Sequence, residues 1–179
     1  MWPTEVCELT VESDYGQIYV YDPRLTAEAS LTTEDTEYDN QLSRSLEDAY
    51  DTRRFVGYDN GLVNILTPSQ YNPEARLRLE LGSGEPPVET AEWEHVVEVP
   101  LPAPSGTIVF EASGGGRQIE TTIPPDLYRA RISCRGYRLG VGEIEGREEY
   151  LVQLWPAPEA PPKLVKNWPG WDTMRPPEV

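Results

Sequence analysis

Short runs of alternating apolar and polar residues, each ended by proline or glycine, recur along most of the chain. The clearest run is 75–81, in which Leu77, Leu79 and Leu81 fall on one face of an extended strand. Two other apolar runs flank an Asn60-Gly61 step, which is typical of a tight β-hairpin. Glycine and proline contribute 32 of the 179 residues and lie between the runs, where they favour turns. The pattern predicts an all-β fold, an antiparallel β-sandwich of about eight to ten short strands.

One segment departs from this alternation. Its apolar side chains at positions 42, 46, 49 and 50 have the spacing of one face of a helix. This spacing predicts one short helix near residues 41–54. The residues before it, 24–41, are polar and acidic and predict a surface loop.

The length is that of one domain, for which we predict the boundaries 1–157. The remainder, 158–179, is a C-terminal tail rich in proline and tryptophan, and its prolines predict no regular structure. No apolar stretch approaches the roughly 18 residues that a membrane-spanning helix needs, and the first residues do not resemble a secretion signal. We therefore expect a cytoplasmic protein in which Cys7 and Cys134 are reduced.

The charge of the chain limits its partners. It has 31 acidic and 15 basic side chains, a formal net charge of −16, and this disfavours direct binding to nucleic acid or to anionic membranes. The acids are unevenly placed: residues 1–60 hold 14 acidic and 4 basic side chains, whereas residues 121–179 hold 8 of each. Such a field favours a basic protein partner. Solubility alone remains the alternative explanation.

The sequence contains few groups suited to catalysis. His95 is the one histidine, and no nucleophile, phosphate loop, dinucleotide fingerprint or cysteine–histidine metal pattern accompanies it. The acids of 35–39 have the spacing of a calcium loop, but Asn40 and Leu46 stand where the glycine and the closing acid belong. We therefore predict a protein that is not an enzyme, with no cofactor and no metal.

Two charged groups are candidate binding sites. An acidic surface for a basic partner is predicted at Asp14, Tyr15, Glu34, Asp35, Glu37 and Asp39. Arg129, Arg131 and Arg135 share one face of a predicted strand. That arginine face can pair with acidic residues of the same chain, such as 34–39, or bind an anion from outside.

Three stretches of the sequence look familiar. Glu-Leu-Thr-Val at 8–11 with Tyr-Gly-Gln-Ile-Tyr-Val-Tyr-Asp at 15–22, Ile-Pro-Pro-Asp-Leu-Tyr-Arg at 123–129, and Tyr-Leu-Val-Gln-Leu-Trp-Pro-Ala at 150–157 resemble the competence protein J-like family of small bacterial β proteins. This chain has Asp126 where glycine is usual in that family. The resemblance implies a cytosolic β-sandwich, and the named activity of the family is inhibition of a DNA-uptake nuclease.

Together these observations favour a non-enzymatic acidic protein-binding module, with an inhibitor or immunity-type protein against a basic nuclease or toxin as its specific form. The alternative is a small-molecule or carbohydrate-binding β-sandwich of unassigned role, whose stacking surfaces would be Trp93, Trp155, Trp168 or Trp171. An enzyme that uses two carboxylates on a sugar or phosphate substrate would need those acids to converge in a cleft.

Overall fold

The structure is a computed structural model that describes residues 1–30 and 36–174, with the side chains of 27–30 and 36–39 outside the description. The strands in these residues are β1 (Glu5–Asp14), β2 (Gln17–Tyr21), β3 (Val56–Asp59), β4 (Leu62–Leu66), β5 (Tyr71–Leu81), β6 (His95–Ala103), β7 (Thr107–Ala112), β8 (Gln118–Thr122), β9 (Asp126–Arg135), β10 (Glu149–Pro156) and β11 (Lys163–Lys166). The helices are α1 (Pro23–Ser30), α2 (Thr36–Asp51) and α3 (Tyr137–Gly140), followed by a 3-10 turn at Pro169–Thr173.

The strands form one mixed, curled sheet with the order β11-β6-β9-β10-β5-β1-β2-β4-β3, and β7 joins β2 and β8 beside this path. Strands β5 and β10 run parallel, with Leu77 opposite Tyr150, and the other named strand pairs in the described residues are antiparallel. The prediction of a mainly β fold is confirmed, but the purely antiparallel arrangement is wrong. An alternating sequence sets which face a side chain occupies and leaves the direction of the neighbouring strand open.

The sheet changes direction at the β1–β2 hairpin, where Asp14 opposite Gln17 is the one register pair between the two strands. Beyond this point β1 continues along β5, while β2 continues between β4 and β7. The two arms share one apolar core, to which β5 contributes Leu77 and β4 contributes Ile65. Most buried apolar residues of both arms therefore belong to one cluster.

Helix α1 occupies part of the region for which a surface loop was predicted. The buried Asp22 lies just before it and accepts a hydrogen bond from the Arg24 N–H at 2.8 Å through Oδ1. The same carboxylate accepts bonds from the N–H and the hydroxyl of Ser105, both at 2.7 Å. Pro23 opens the helix, a position that tolerates its missing N–H. The loop prediction is therefore wrong for 24–30, where Asp22 starts a helix, and for 36–41, which belong to α2.

Helix α2 begins at Thr36 and ends at Asp51, so the predicted helix exists but is shifted toward the N-terminus. It packs directly on β3 because Gly57 has no side chain: a methyl group built there would lie 1.7 Å from the Ser45 carbonyl oxygen. Ala49, on the same face of the helix, is fully buried in the core.

The described part of the C-terminal tail, 158–174, packs on the sheet and contains regular structure. Strand β11 pairs antiparallel with β6, and Trp168 and Trp171 are 5% and 3% exposed. Trp171 stacks on Phe55 with ring centroids 4.3 Å apart, and Trp168 meets Tyr137 edge to face at 5.4 Å. The absence of regular structure predicted for the tail is wrong, because two buried indoles supply enough apolar area to order it despite the prolines.

His95 joins three parts of the chain inside the core. It is fully buried; its Nε2 lies 2.5 Å from the Arg54 carbonyl oxygen, and its Nδ1 accepts the Trp168 N–H at 3.2 Å. A neutral imidazole that donates from Nε2 satisfies both contacts. Burial lowers the pKa of His95 to about 4, although the hydrogen bond to the Arg54 carbonyl raises it in part. The histidine is thus held neutral between the end of α2, strand β6 and the tail.

Truncating Trp171 tests whether the tail belongs to the core. We expect Trp171→Ala to lower the free energy of unfolding by about 3–5 kcal/mol, because it leaves a cavity beside Phe55. The matched control is Asp172→Ala, whose exposed ion pair with Arg53 predicts a change within about 1 kcal/mol. Urea denaturation measures both. Equal, small effects would contradict the packing of the tail.

His95 also predicts a pH dependence of stability. Its pKa is lowered on folding from 6.5 to about 4, so the unfolded chain binds more protons in this window and stability falls as the pH drops from 6.5 toward 4. The loss is on the order of 3 kcal/mol. Urea denaturation of the wild type and of His95→Gln at several pH values measures it, since the carboxylates contribute equally to both. A difference that stays constant with pH would refute the prediction.

Candidate partner-binding edge

Two of the predicted partner-binding residues lie at the tip of the β1–β2 hairpin. Tyr15 is 65% exposed, and its N–H donates to Asp14 Oδ1 at 2.8 Å. Glu34 and Asp35 lie outside the described residues. Glu37 and Asp39 lie in the first turns of α2, and their side chains are outside the description.

The hairpin tip is fixed to the turn between β4 and β5. The Gly16 N–H donates to the Gln70 carbonyl at 3.0 Å, and the Gly16 carbonyl accepts from the Thr67 N–H at 2.9 Å. Gly16 has φ +67°, and a methyl group built there would lie 3.2 Å from the Thr67 carbonyl oxygen. A glycine is therefore needed both for the turn and for the close approach.

Tyr71, the first residue of β5, connects this tip to the segment that follows α3. It is opposite Asp14 in the β1–β5 ladder and forms a parallel bridge with Glu145. Its N–H donates to the Ile144 carbonyl at 2.9 Å, and its carbonyl accepts from the Gly146 N–H at 2.7 Å. Asp14 and Glu145 thus flank Tyr71 at one end of the sheet.

Exposed apolar side chains are concentrated at this end. Ile144, next to Glu145, is 78% exposed, and Tyr15 lies across Tyr71 from it. Leu139 (60% exposed) and Val141 (46%) come just before it in the same segment. Single exposed apolar residues carry little information, but several on neighbouring segments are typical of a binding surface. The exposed acids Glu143 and Glu145 lie on the same segment. We call this surface the partner edge, defined by Asp14, Tyr15, Tyr71, Leu139, Val141, Glu143, Ile144 and Glu145.

The second half of the partner edge could not be predicted from the sequence pattern. The segment 139–146 places Leu139, Val141 and Ile144 among three glycines, at intervals that match neither a strand nor a helix. One feature of this segment does point to a binding surface: it places large apolar side chains in a glycine-rich loop, with acids between them.

The arginine face pairs within the chain. Arg131 is 1% exposed, and its Nε donates to Glu98 Oε1 at 2.9 Å. Arg129 Nε lies 3.5 Å from the other Glu98 oxygen, and Arg135 lies 2.6 Å from Glu149. Arg131 also donates to the carbonyls of Pro86 and Pro87, and Arg129 to those of Ala160 and Pro161. Proline-rich segments therefore cover Arg129 and Arg131.

Three of the four tryptophans suggested as stacking surfaces are buried: Trp155, Trp168 and Trp171. Trp93 is half-buried and lines a groove of about 680 Å³ between 91–94, α3 and 166–170. The Arg135 guanidinium lies over its ring, 5.0 Å from the centroid. The sites available for a stacked sugar are thus reduced to this groove.

The described residues show no arrangement of groups suited to nucleophilic or metal chemistry. Among them no three His, Cys, Asp or Glu side chains are placed to hold a metal ion. Cys134 is completely buried, which raises the pKa of its thiol to about 12. No helix in the same residues is long and apolar enough to span a membrane.

No family model matches the sequence, and no curated protein matches it significantly. Solved structures with a similar fold include "Crocagin biosynthetic gene J", 20% identical, with a TM-score of 0.56 over 86% of this chain and 98% of that one. They also include ComJ from Bacillus subtilis, described as an inhibitor of the DNA degrading activity of NucA. It is 15% identical, with a TM-score of 0.50 over 87% of this chain and 97% of that one.

The chain has a ComJ-like fold. The resemblance to the competence protein J-like family that the sequence indicated is thereby confirmed at the level of the fold. Identities of 20% and 15% carry no residue of a binding site from those proteins to this one. The partner edge therefore rests on the geometry of this chain alone.

The buried arginines predict a large difference between two similar substitutions. Arg131→Gln removes the closer of the two arginines that pair with the buried Glu98 and leaves only Arg129, 3.5 Å away. We expect a loss of about 3 kcal/mol in the free energy of unfolding. Arg138→Gln removes an arginine whose side chain is 81% exposed and should cost less than about 1 kcal/mol. Denaturation curves compare them. Similar values would refute the structural role of Arg131.

Proposed function

We propose that this chain is a non-enzymatic, acidic protein-binding module whose partner is a basic protein of the nuclease or toxin class. The observation that carries the proposal is the partner edge, where Tyr15, Val141 and Ile144 are exposed among acids. Apolar side chains in the centre of an interface supply most of the affinity, and charges around them select the partner.

The net charge supports a basic partner. A formal charge of −16 repels nucleic acid and attracts a positively charged protein, so it raises the rate of encounter. Asp14, Glu143 and Glu145 lie at the partner edge itself, and Arg138 and Arg147 are exposed bases next to it in sequence. A nuclease needs a basic surface to hold DNA, and such a surface is complementary to these acids.

Inhibition is the specific activity that we propose, in the form of an inhibitor or immunity-type protein. ComJ, which has a similar fold, is described as an inhibitor of a DNA degrading activity, and this supports the choice. The other similar structure is described as a biosynthetic protein, so the fold is compatible with more than one role. An acidic protein bound over a DNA-binding surface competes with phosphate for the same cations. We expect this encounter in the cytoplasm.

The groove at Trp93 supports a second candidate, a small-molecule or carbohydrate-binding role. Its volume of about 680 Å³ is that of a ligand pocket, and Val141 contributes to its wall. Trp93 is already stacked by Arg135, which leaves less of the indole free for a sugar. Quenching of tryptophan fluorescence by added sugars would reveal such binding.

The partner edge can be tested by substitution. Basic proteins of the native host are bound to the immobilised chain at low salt, eluted with salt, and assayed for DNA degradation with and without the chain. We expect at least one nuclease to be inhibited, and we expect Tyr15→Ser with Ile144→Ser to weaken its binding by about 10- to 100-fold.

The control is Val88→Ser, which removes a comparably exposed apolar side chain, 57% exposed, outside the partner edge. It should change the affinity less than about twofold, well under 1 kcal/mol. If the Tyr15→Ser and Ile144→Ser protein still inhibits as strongly as the wild type, the interface lies outside the partner edge. Failure to inhibit any captured basic nuclease or toxin would refute the proposed function.

A further inference from the structure

A polar cavity of about 400 Å³ lies beside the partner edge, between the start of β5 and the start of β10. Glu145 belongs to both: it is a member of the partner edge and it lines the cavity. The cavity wall includes Asn72, Glu74, Gly146 and Glu148. A protein seated on the partner edge therefore has this opening within reach of its side chains.

Glu148 is a buried carboxylate with an incomplete set of partners. It is 1% exposed, and Asn72 Nδ2 donates to its Oε2 at 2.9 Å. Its Oε1 is buried and accepts no hydrogen bond from the described residues. In that same part of the chain no lysine or arginine forms an ion pair with Glu148. A buried charge of this kind is costly unless a cation or a set of donors meets it.

A second polar group without a partner lies next to Glu148. Ser69 Oγ is buried and has no hydrogen-bond partner among the described residues. A methyl group built on Gly146 would lie 2.0 Å from one Glu148 oxygen and 2.1 Å from Ser69 Oγ. The carboxylate and the hydroxyl therefore converge beneath the same glycine, and a side chain larger than hydrogen would occupy the space between them.

We propose that this cavity binds the guanidinium or ammonium group of an arginine or lysine from the basic partner, with Glu148 as its counter-ion. The inference rests on the proposed function and names the contact that would anchor the partner to this chain. Glu148 lines the cavity and its Oε1 lacks a hydrogen-bond donor, whereas a guanidinium brings five donors and no acceptor. Glu74 and Glu145 add negative charge at the opening.

The cavity also has basic residues in its wall, Arg76 and Arg147, and both are exposed. Among the described residues neither of them forms an ion pair with Glu148. Asn72 holds Glu148 in place from the side of β5, so the site is formed before any partner arrives.

The test uses acetyl-arginine amide as the probe, which carries the guanidinium without requiring the natural partner. Two-dimensional amide NMR spectra of the full chain should show shifts confined to Ser69, Asn72 and Gly146 when the probe is added at millimolar concentration. Acetyl-glutamine amide, which is uncharged, should leave these signals in place.

Glu148→Gln keeps the shape of the side chain and removes its charge, and we expect the probe to bind at least tenfold more weakly, about 1.4 kcal/mol. The matched control is Glu120→Gln, which removes the same charge from an exposed position on β8 and should leave binding unchanged. Should Glu148→Gln fail to fold, Glu145→Gln at the opening replaces it and should weaken binding severalfold.

In the probe experiment, three results would overturn the inference: no confined shifts in the wild type, equal shifts with the uncharged probe, or full binding by the Glu148→Gln protein. If the wild type shows no confined shifts, the cavity binds water and not a guanidinium. The proposed function fails separately, through loss of nuclease inhibition. If the Glu148→Gln protein inhibits a nuclease as strongly as the wild type does, Glu148 does not anchor the partner, whereas the proposed role of the partner edge still stands.

Discussion

The rest of the structure depends on the aromatic packing between the C-terminal tail and the core. Trp168 and Trp171 close over Phe55 and Tyr137, and the neutral His95 connects them by hydrogen bonding to the Trp168 N–H. Tyr137 is completely buried, and its hydroxyl donates to the Leu66 carbonyl at 3.0 Å. It also begins α3, from which the glycine-rich part of the partner edge extends. The position of that surface is therefore set by rings that lie beneath it.

Much of the β architecture could be predicted from alternation and turn residues. The Asn60-Gly61 hairpin forms between β3 and β4 as expected, and the Leu77 face of β5 points into the core. The parallel pairing of β5 with β10 could not be predicted, because its partners are about 70 residues apart and alternation is the same for either direction. The order in the tail could not be predicted from its prolines, because the burial of Trp168 and Trp171 depends on rings that are distant in sequence.

The candidate site was predictable in part. Asp14 and Tyr15 stand out in sequence as a polar turn within a strand run, and the structure exposes Tyr15 there. Its neighbour Ile144 could not be found in this way, because Tyr71 brings the two segments together through contacts distant in sequence. The pairing of Arg131 with Glu98 is of the same kind, since it joins two strands that become neighbours only in the folded sheet.

The inward packing of Trp168 and Trp171 has a consequence for the way the chain is made. Until residue 171 has left the ribosome, Phe55 lacks the ring on which it stacks and β6 lacks the strand β11 at its edge. A nascent chain shorter than this exposes apolar rings and an open strand edge, both of which favour association with other chains. Docking of the tail therefore covers both the rings and the strand edge.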